Sequence, residues 1–332
     1  MRLQRAWYQS RAPLWLWLLW PLQLLFVALS GLRRLRFRYF PAKPLPVPVI
    51  VVGNISVGGT GKTPVTLALV DYLKAQGERP GIISRGYGGR GPFPYSVTAQ
   101  SDAQRCGDEP LLLARRTQVP MVVAPDRYQA ALWLLQQAPS TTVIISDDGL
   151  QHYALPRQFE IAVIDGQRGV GNGWRLPMGP LREAPARLQS VDAVITNGKL
   201  NNSLPCAVQP YQMVLQAQRW RRLSDDMPVD KLPEGKTLVV AGIGHPERFF
   251  ATVGTLEKRD FTTRAFADHH AFSDADYAAV SNYDVVLMTE KDATKWRGNP
   301  AQACYYLPVK AQLPEAFWQQ LQQALRNARY DA

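Results

Sequence analysis

Cysteine is scarce in this 332-residue sequence: Cys106, Cys206 and Cys304 are widely spaced, and no CxxC pair occurs. That number and spacing exclude a disulfide framework and a cysteine zinc site, and they fit a reducing compartment. Acidic residues are missing from the first 43 positions, which carry eight basic ones (Arg2, Arg5, Arg11, Arg33, Arg34, Arg36, Arg38 and Lys43). Of the 38 Lys and Arg in the chain, 30 then remain against 27 Asp and Glu, so the body is nearly neutral. A nucleic-acid reader needs positive charge on its folded body, in a groove or stripe, and no nucleic-acid partner is expected here. There is no internal repeat and no low-complexity tail. The positive charge sits where a membrane surface would attract it.

Between Pro13 and Leu32 runs PLWLWLLWPLQLLFVALSGL, with no charged residue, three Trp and Arg on both flanks. Its length is close to the roughly 20 apolar residues that cross a bilayer. A dense Arg cluster after the run argues against a cleaved signal peptide, although Ala28-Leu29-Ser30 resembles a cleavage site. Pro21 and Gln23 interrupt a clean span, while Trp15, Trp17 and Trp20 with flanking Arg suit a helix lying among lipid headgroups. Three readings stand at this point: an interfacial helix, a true span, and a helix buried against the protein's own core.

The Pro-rich stretch PAKPLPVPVI is too stiff and too poor in donors for a helix and reads as a linker into a strand. Beyond it, short apolar runs (VPVIVVG, RPGIISRG, VPMVVA, TTVIISDDG, FEIAVIDG, VDAVITNG) alternate with helical patterns such as TPVTLALVDYLKAQG. Nearly continuous apolar strands separated by helices predict a parallel sheet covered on both faces. A second group, TLVVAGIG and YDVVLMTEKD, with helices near 246–256 and 315–329, predicts a smaller α/β unit. The expected organisation is a basic apolar membrane-anchoring segment over 1–45, a doubly wound, mostly parallel α/β domain over 46–230, and a C-terminal α/β domain over 231–332. The cleft between the last two is the default substrate site.

The strongest chemical signal is VGNISVGGTGKTP. Residues Ile55, Ser56, Val57, Gly58, Gly59, Thr60, Gly61, Lys62 and Thr63 join a buried-type strand to an amphipathic helix, the context a phosphate-binding P-loop requires. Glycines let successive backbone N–H groups turn onto phosphates, and the helix N-terminus adds its dipole. Lys62 would reach the β- and γ-phosphates of ATP, and the Thr63 hydroxyl would ligate Mg²⁺. The general pattern begins with Gly, where this sequence has Ser56. TTVIISDDG ends a second strand in Asp147-Asp148; alone such a pair reads as a turn or cap, but beside the glycine loop it reads as a metal site.

An alcohol kinase also needs a group to accept the hydroxyl proton, and Asp108, in Gly107-Asp108-Glu109-Pro110, and His269, in Ala267-Asp268-His269-His270, are candidates. Sequence alone does not bring them together. The Gly- and Arg-rich stretches SRGYGGR and GNGWR through LRE supply guanidinium forks suited to phosphate, or else solvated turns.

Taken in order, VGNISVGGTGKTP, SRGYGG, GDEP, SDDGLQH, IDGQRGVGNGWRLPMGPLRE, AGIGHPERFF, ADH and MTEKDA resemble the tetraacyldisaccharide 4'-kinase family, the lipid A 4'-kinases of Gram-negative bacteria. Ser56 is that family's own variation. The resemblance implies transfer of the ATP γ-phosphate to the 4'-hydroxyl of tetraacyldisaccharide 1-phosphate, giving lipid IVA, on the cytoplasmic face of the inner membrane. It implies Asp108 as the base on the sugar hydroxyl and His269 as its partner. Thr63, Asp147 and Asp148 match the metal positions, with Gln151 and Glu183 as further candidates. Arg127, Arg182 and Asn172 are expected at substrate or nucleotide, with Trp174 a weaker candidate; no obligatory protein partner is implied. A membrane-tethered switch ATPase is the alternative enzyme class, although its signature Lys would fall at Val57. A non-catalytic scaffold is the third class.

Overall fold

Continuous Val and Ile between residues 49 and 53 can be buried on both faces only inside a sheet covered on both sides, and that is where the computed structural model places them. The structure describes residues 2–9, 12–40, 43–201, 203–207, 209–297 and 303–330. Val49–Gly53 lies within a nine-stranded sheet ordered Val309–Gln312, Tyr211–Ala217, Ala193–Asn197, Phe159–Asp165, Val49–Gly53, Val143–Asp147, Pro80–Ser84, Met121–Val123, Tyr95–Ser96. The ladders are parallel except at the two edges, where Tyr95–Ser96 and Val309–Gln312 pair antiparallel. The register sets Val52 opposite Asp147, so the strand that leads into the glycine loop ends level with the aspartate pair. One face of the sheet is covered by helix Lys62–Ala75, which contributes Leu69 and Leu73 to the core. The other face packs helix Arg127–Gln137 through Ala130, Ala131 and Leu134.

A second sheet of six strands runs Pro228–Val229, Trp220–Arg222, Ala303–Leu307, Val285–Thr289, Thr237–Ala241, Phe261–Ala265. Its limits differ from the expected 231–332. It already contains Trp220–Arg222, which pairs with Ala303–Leu307, and it ends before the chain does. Val309–Gln312 returns to the large sheet beside Tyr211–Ala217, and helix Glu315–Tyr330 packs there too. The reason is burial: Phe317, Leu321 and Leu325 form one face at helical spacing, and they close the large core, with Phe317 in ring contact with Phe159 at 6.5 Å and Tyr211 at 5.6 Å. The smaller domain is therefore an insertion between two adjacent strands of the larger one.

At the N-terminus a 3-10 turn, Leu14–Leu19, runs into helix Trp20–Tyr39. Leu14, Leu18 and Leu32 are 86%, 80% and 64% exposed, which overturns the reading of a helix buried in the protein's own core. Over Leu14–Phe37 this segment is long and apolar enough to cross a membrane. It is tied to the body near its start, where Trp7 Nε1 donates to Pro177 O at 3.0 Å and Trp17 meets Trp174 edge-on at 5.7 Å.

Phe317→Ala is expected to lower the unfolding free energy of the large domain by about 3–5 kcal/mol, read as a drop in the urea midpoint followed by far-UV circular dichroism. An unchanged midpoint would contradict the assignment of this helix to the large core.

Candidate active site

The segment between strand Val49–Gly53 and helix Lys62–Ala75 holds its shape through two left-handed glycines, Gly58 (φ 101°) and Gly61 (φ 97°). At Gly61 an added Cβ would also come within 2.7 Å of Asn197 Nδ2, so only glycine fits. That same Asn197 amide donates to Thr60 O at 3.2 Å and fixes the last turn of the loop. Pro64 falls in the first helical turn, where its missing N–H costs nothing. Ser56 forms an isolated antiparallel bridge with Leu181. Val57 N–H donates to Pro180 O at 2.8 Å, and Arg182 N–H donates to Ile55 O at 2.7 Å. This zipper brings Arg182 and Glu183 beside the loop from more than a hundred residues away in sequence.

Asp147 and Asp148 share a strand end but not a role. Asp147 is 1% exposed, and Thr66 Oγ1 donates to its Oδ1 at 3.2 Å. Burial, with the charge of Glu109 adding to it, pushes its carboxyl up to about 7 against the pull of Lys62. Asp148, in a left-handed conformation (φ 50°), faces Lys62 Nζ at 3.6 Å and Arg182 Nη1 at 3.3 Å. Burial would raise it too, but these two cations outweigh burial and hold it below the usual carboxylate range. One carboxyl is thus poised and one firmly ionised, as two adjacent acids must be unless a cation lies between them.

Gln151 and Glu183 form a bracket behind this pair. Gln151 Nε2 donates to Glu183 Oε1 at 2.7 Å and to Asn54 O at 2.9 Å. Tyr153 donates a short hydrogen bond to Glu183 Oε2, and Arg187 Nε lies 3.4 Å from the same oxygen. Arg182 Nη1 reaches Gln151 Oε1 at 3.3 Å as well as Asp148. Among the described residues no group of three or more His, Cys, Asp and Glu converges as a metal cluster. The hydroxyl and carboxylate donors of Thr63, Asp147 and Asp148 instead fit Mg²⁺, a hard ion that takes one or two protein oxygens and completes its shell with phosphates and water.

Asp108 and His269, which the sequence could not join, meet across the two domains. His269 Nδ1 lies 3.0 and 3.1 Å from the two Asp108 oxygens. Gly107, at φ 96°, turns the chain into helix Asp108–Thr117 and leaves Asp108 at its N-terminus, 6% exposed. His269 is itself left-handed (φ 60°), a strained backbone of the kind that persists at functional sites. Burial would raise Asp108, but the His269 hydrogen bond, Lys291 and Lys295 together hold it well below the usual carboxylate range. The same hydrogen bond raises His269 against burial and Lys291. Lys295 Nζ lies 3.3 Å from Asp108 Oδ2, and Lys291 Nζ lies 2.8 Å from Glu109 Oε1.

Other contacts close the domains over the loop. Arg116 pairs with Glu290 at 2.7 Å, Arg248 pairs with Asp165 at 3.0 Å, and Arg168 Nη2 donates to Gly244 O at 3.0 Å. Gly244 lies so near the loop that a Cβ there would come within 2.8 Å of Gly59 N. Between the domains lies a cavity of about 290 Å³, lined by Gly59–Pro64 and Lys291 together with the apolar Leu215, Ala217, Phe249, Leu307 and Val309. The Asp108–His269 pair lines a neighbouring cavity of about 400 Å³.

Against this geometry, a model of the family described as tetraacyldisaccharide-1-P 4'-kinase matches residues 15–326. The chain belongs to that family. It is 48% identical over 330 residues to a tetraacyldisaccharide 4'-kinase of Dechloromonas aromatica, covering 98% of this chain and 97% of the other. It is 47% identical over 317 residues to that of Idiomarina loihiensis, covering 95% and 94%. A crystal structure of LpxK from Aquifex aeolicus in complex with ATP superposes with a TM-score of 0.76 at 27% identity, covering 94% of this chain and all of that one. The switch-ATPase and scaffold alternatives are left without support.

Three expected positions fall elsewhere than the cleft. Arg127 is buried, and its guanidinium donates to Pro125 O at 2.9 Å and Asp148 O at 3.2 Å, so it holds the aspartate turn from behind. Asn172 spends its amide inside its own loop, donating to Met178 O at 2.9 Å and accepting from Trp174 N–H at 3.1 Å. Trp174 meets the N-terminal segment through Trp17. Lys291 and Lys295 were not singled out by the sequence reading. The signal for Lys291 was the TEKD run at a strand's carboxyl end, the same strand-to-turn pattern that marked Asp147 and Asp148; Lys295 lies three residues beyond it.

Asp147→Asn is expected to raise the thermal midpoint of the ligand-free protein at pH 8 and to leave it near wild type at about pH 4. A carboxyl at about 7 in the folded state, against about 3.9 unfolded, takes up a proton on folding between those two values. Stability therefore falls as pH rises from about 4 to about 7, and the amide escapes this loss. A difference independent of pH in thermal scans would count against the burial argument.

Proposed function

We propose that this chain transfers the γ-phosphate of ATP to the 4'-hydroxyl of tetraacyldisaccharide 1-phosphate, giving lipid IVA on the route to lipid A. The observation that carries the mechanism is the 3.0 Å contact of Asp108 with His269, closed over the glycine loop by the second domain. Phosphoryl transfer asks a protein for positioning and charge stabilisation more than for covalent work. The loop amides and Lys62 would hold the β- and γ-phosphates, and the apolar part of the cleft lining, at Leu215, Phe249 and Leu307, suits the adenine. Thr63, Asp147 and Asp148 would hold a magnesium ion, backed by Gln151 and Glu183; when bound, the ion neutralises charge on the transferring phosphoryl group. Arg182, which is partly exposed beside Asp148, is placed to meet a phosphate oxygen.

Asp108 would accept the hydrogen bond of the 4'-hydroxyl and aim that oxygen at phosphorus. Its depressed pKa keeps it ionised throughout the neutral range, and a loose transition state needs an oriented acceptor more than a strong base. An amphiphilic acceptor accounts for the exposed Leu and Trp of the N-terminal segment. With its Arg-rich flanks, this segment would seat the enzyme on the cytoplasmic face of the inner membrane, at the level where the disaccharide lies.

The test is transfer of labelled γ-phosphate from Mg-ATP to tetraacyldisaccharide 1-phosphate in detergent micelles. Wild type should label the lipid, while Lys62→Ala and Asp108→Ala should each fall by about 100-fold or more. ATP hydrolysis by wild type with no labelled lipid would refute the assignment.

A further inference from the structure

Lys291 follows strand Val285–Thr289 in the short helix Glu290–Ala293. Its Nζ lies 2.8 Å from Glu109 Oε1, 3.0 Å from Asp268 Oδ1 and 3.2 Å from His269 Nε2. An ammonium group has three protons to give and no lone pair. At the third contact Lys291 must therefore donate, and His269 Nε2 must accept. The one remaining ring proton then sits on Nδ1, the nitrogen that faces both oxygens of Asp108.

We infer that Lys291 is a positioning residue for phosphoryl transfer: by occupying Nε2 it fixes His269 as the neutral tautomer that donates from Nδ1 to Asp108. The inference rests on the kinase reading above. Its logic lies in the charges around the ring. Asp108 and Glu109 face His269 from helix Asp108–Thr117, Asp268 adjoins it in the chain, and Lys295 reaches it only through Asp108. The Tyr87 ring packs edge-on at 5.3 Å and adds no charge. Three carboxylates favour a doubly protonated imidazolium, and Lys291 is the cation in direct contact that opposes it. An imidazolium would bind Asp108 as a full ion pair and weaken the hydrogen bond by which its carboxylate orients the acceptor hydroxyl. Glu109, on the opposite domain, anchors the ammonium from the far side of the cleft, so closure also sets the ring.

A lysine that only tied the two domains together would predict equal loss at every pH, and the pH profile separates the two. The experiment compares kcat/KM for the lipid across pH in wild type, Lys291→Met and Lys291→Arg. Alongside it, the ring nitrogens of His269 are titrated by NMR without substrate, with His269→Gln supplying the assignment. In Lys291→Met the ascending limb should move up by about one pH unit, and the His269 titration should move with it. Glu109 and Asp268, freed of the ammonium, act in the same direction. Lys291→Arg keeps a cation at Nε2 and should stay close to the wild-type limb. Equal loss at every pH, with the limb and the ring titration both in place, overturns the inference. If wild type labels no lipid, the kinase reading falls, and the ring titration still decides where the proton sits.

Discussion

A parallel strand delivers polar side chains to a site at its carboxyl end, and pairing Val52 with Asp147 brings two such ends level. From the first the chain must turn into the glycine loop, and from the second it must turn through Asp148. Everything nearby is arranged by that alignment. Thr66, one turn into the loop's helix, reaches Asp147. Lys62, at the helix start, reaches Asp148. Leu181, bridged to Ser56, carries Arg182 and Glu183 into the same place. A slip of register would separate the loop from its acids even if both remained folded.

Charge within the site is graded by burial and by partner. Asp147, fully buried and near the charge of Glu109, is pushed up against the pull of Lys62; Asp148 has both Lys62 and Arg182 in contact and is held down. Asp108 is nearly as buried as Asp147, but His269, Lys291 and Lys295 surround it, and it too is held down. These three carboxyls of one sequence type therefore differ because of where cations lie, a property of the fold and not of the motif.

That distinction marks how far the sequence could be read. The glycine loop and the aspartate pair were legible because each is a contiguous run at a strand end, and contiguous runs carry their own local geometry. Asp108 and His269 were legible only as candidates, since they lie on different domains and nothing local joins them. The role of Ser56 depended on Leu181, a residue with no chemistry of its own. The return of helix Glu315–Tyr330 to the larger sheet was not legible, because it follows the smaller sheet in the chain yet buries Phe317 against the larger one. Lys291 was missed because its partners Glu109, Asp268 and His269 come from both domains.

The insertion explains how such a divided site can assemble at all. The smaller domain hangs on two neighbouring strands, with Ala217 paired to Val309, so both of its tethers leave the large sheet at the same edge. From that hinge it reaches back over the loop and is held by Arg116–Glu290, Arg248–Asp165, Lys291–Glu109 and the Asp108–His269 pair. Partly solvated ion pairs of this kind contribute about 1 kcal/mol or less each, far below what a broad apolar interface would supply. Closure is thus a sum of weak polar contacts, several of which are also the residues that orient the chemistry. A domain bound by a hydrophobic face would hold its substrates in. One bound by the groups that align the acceptor couples its closure to the setting of the site.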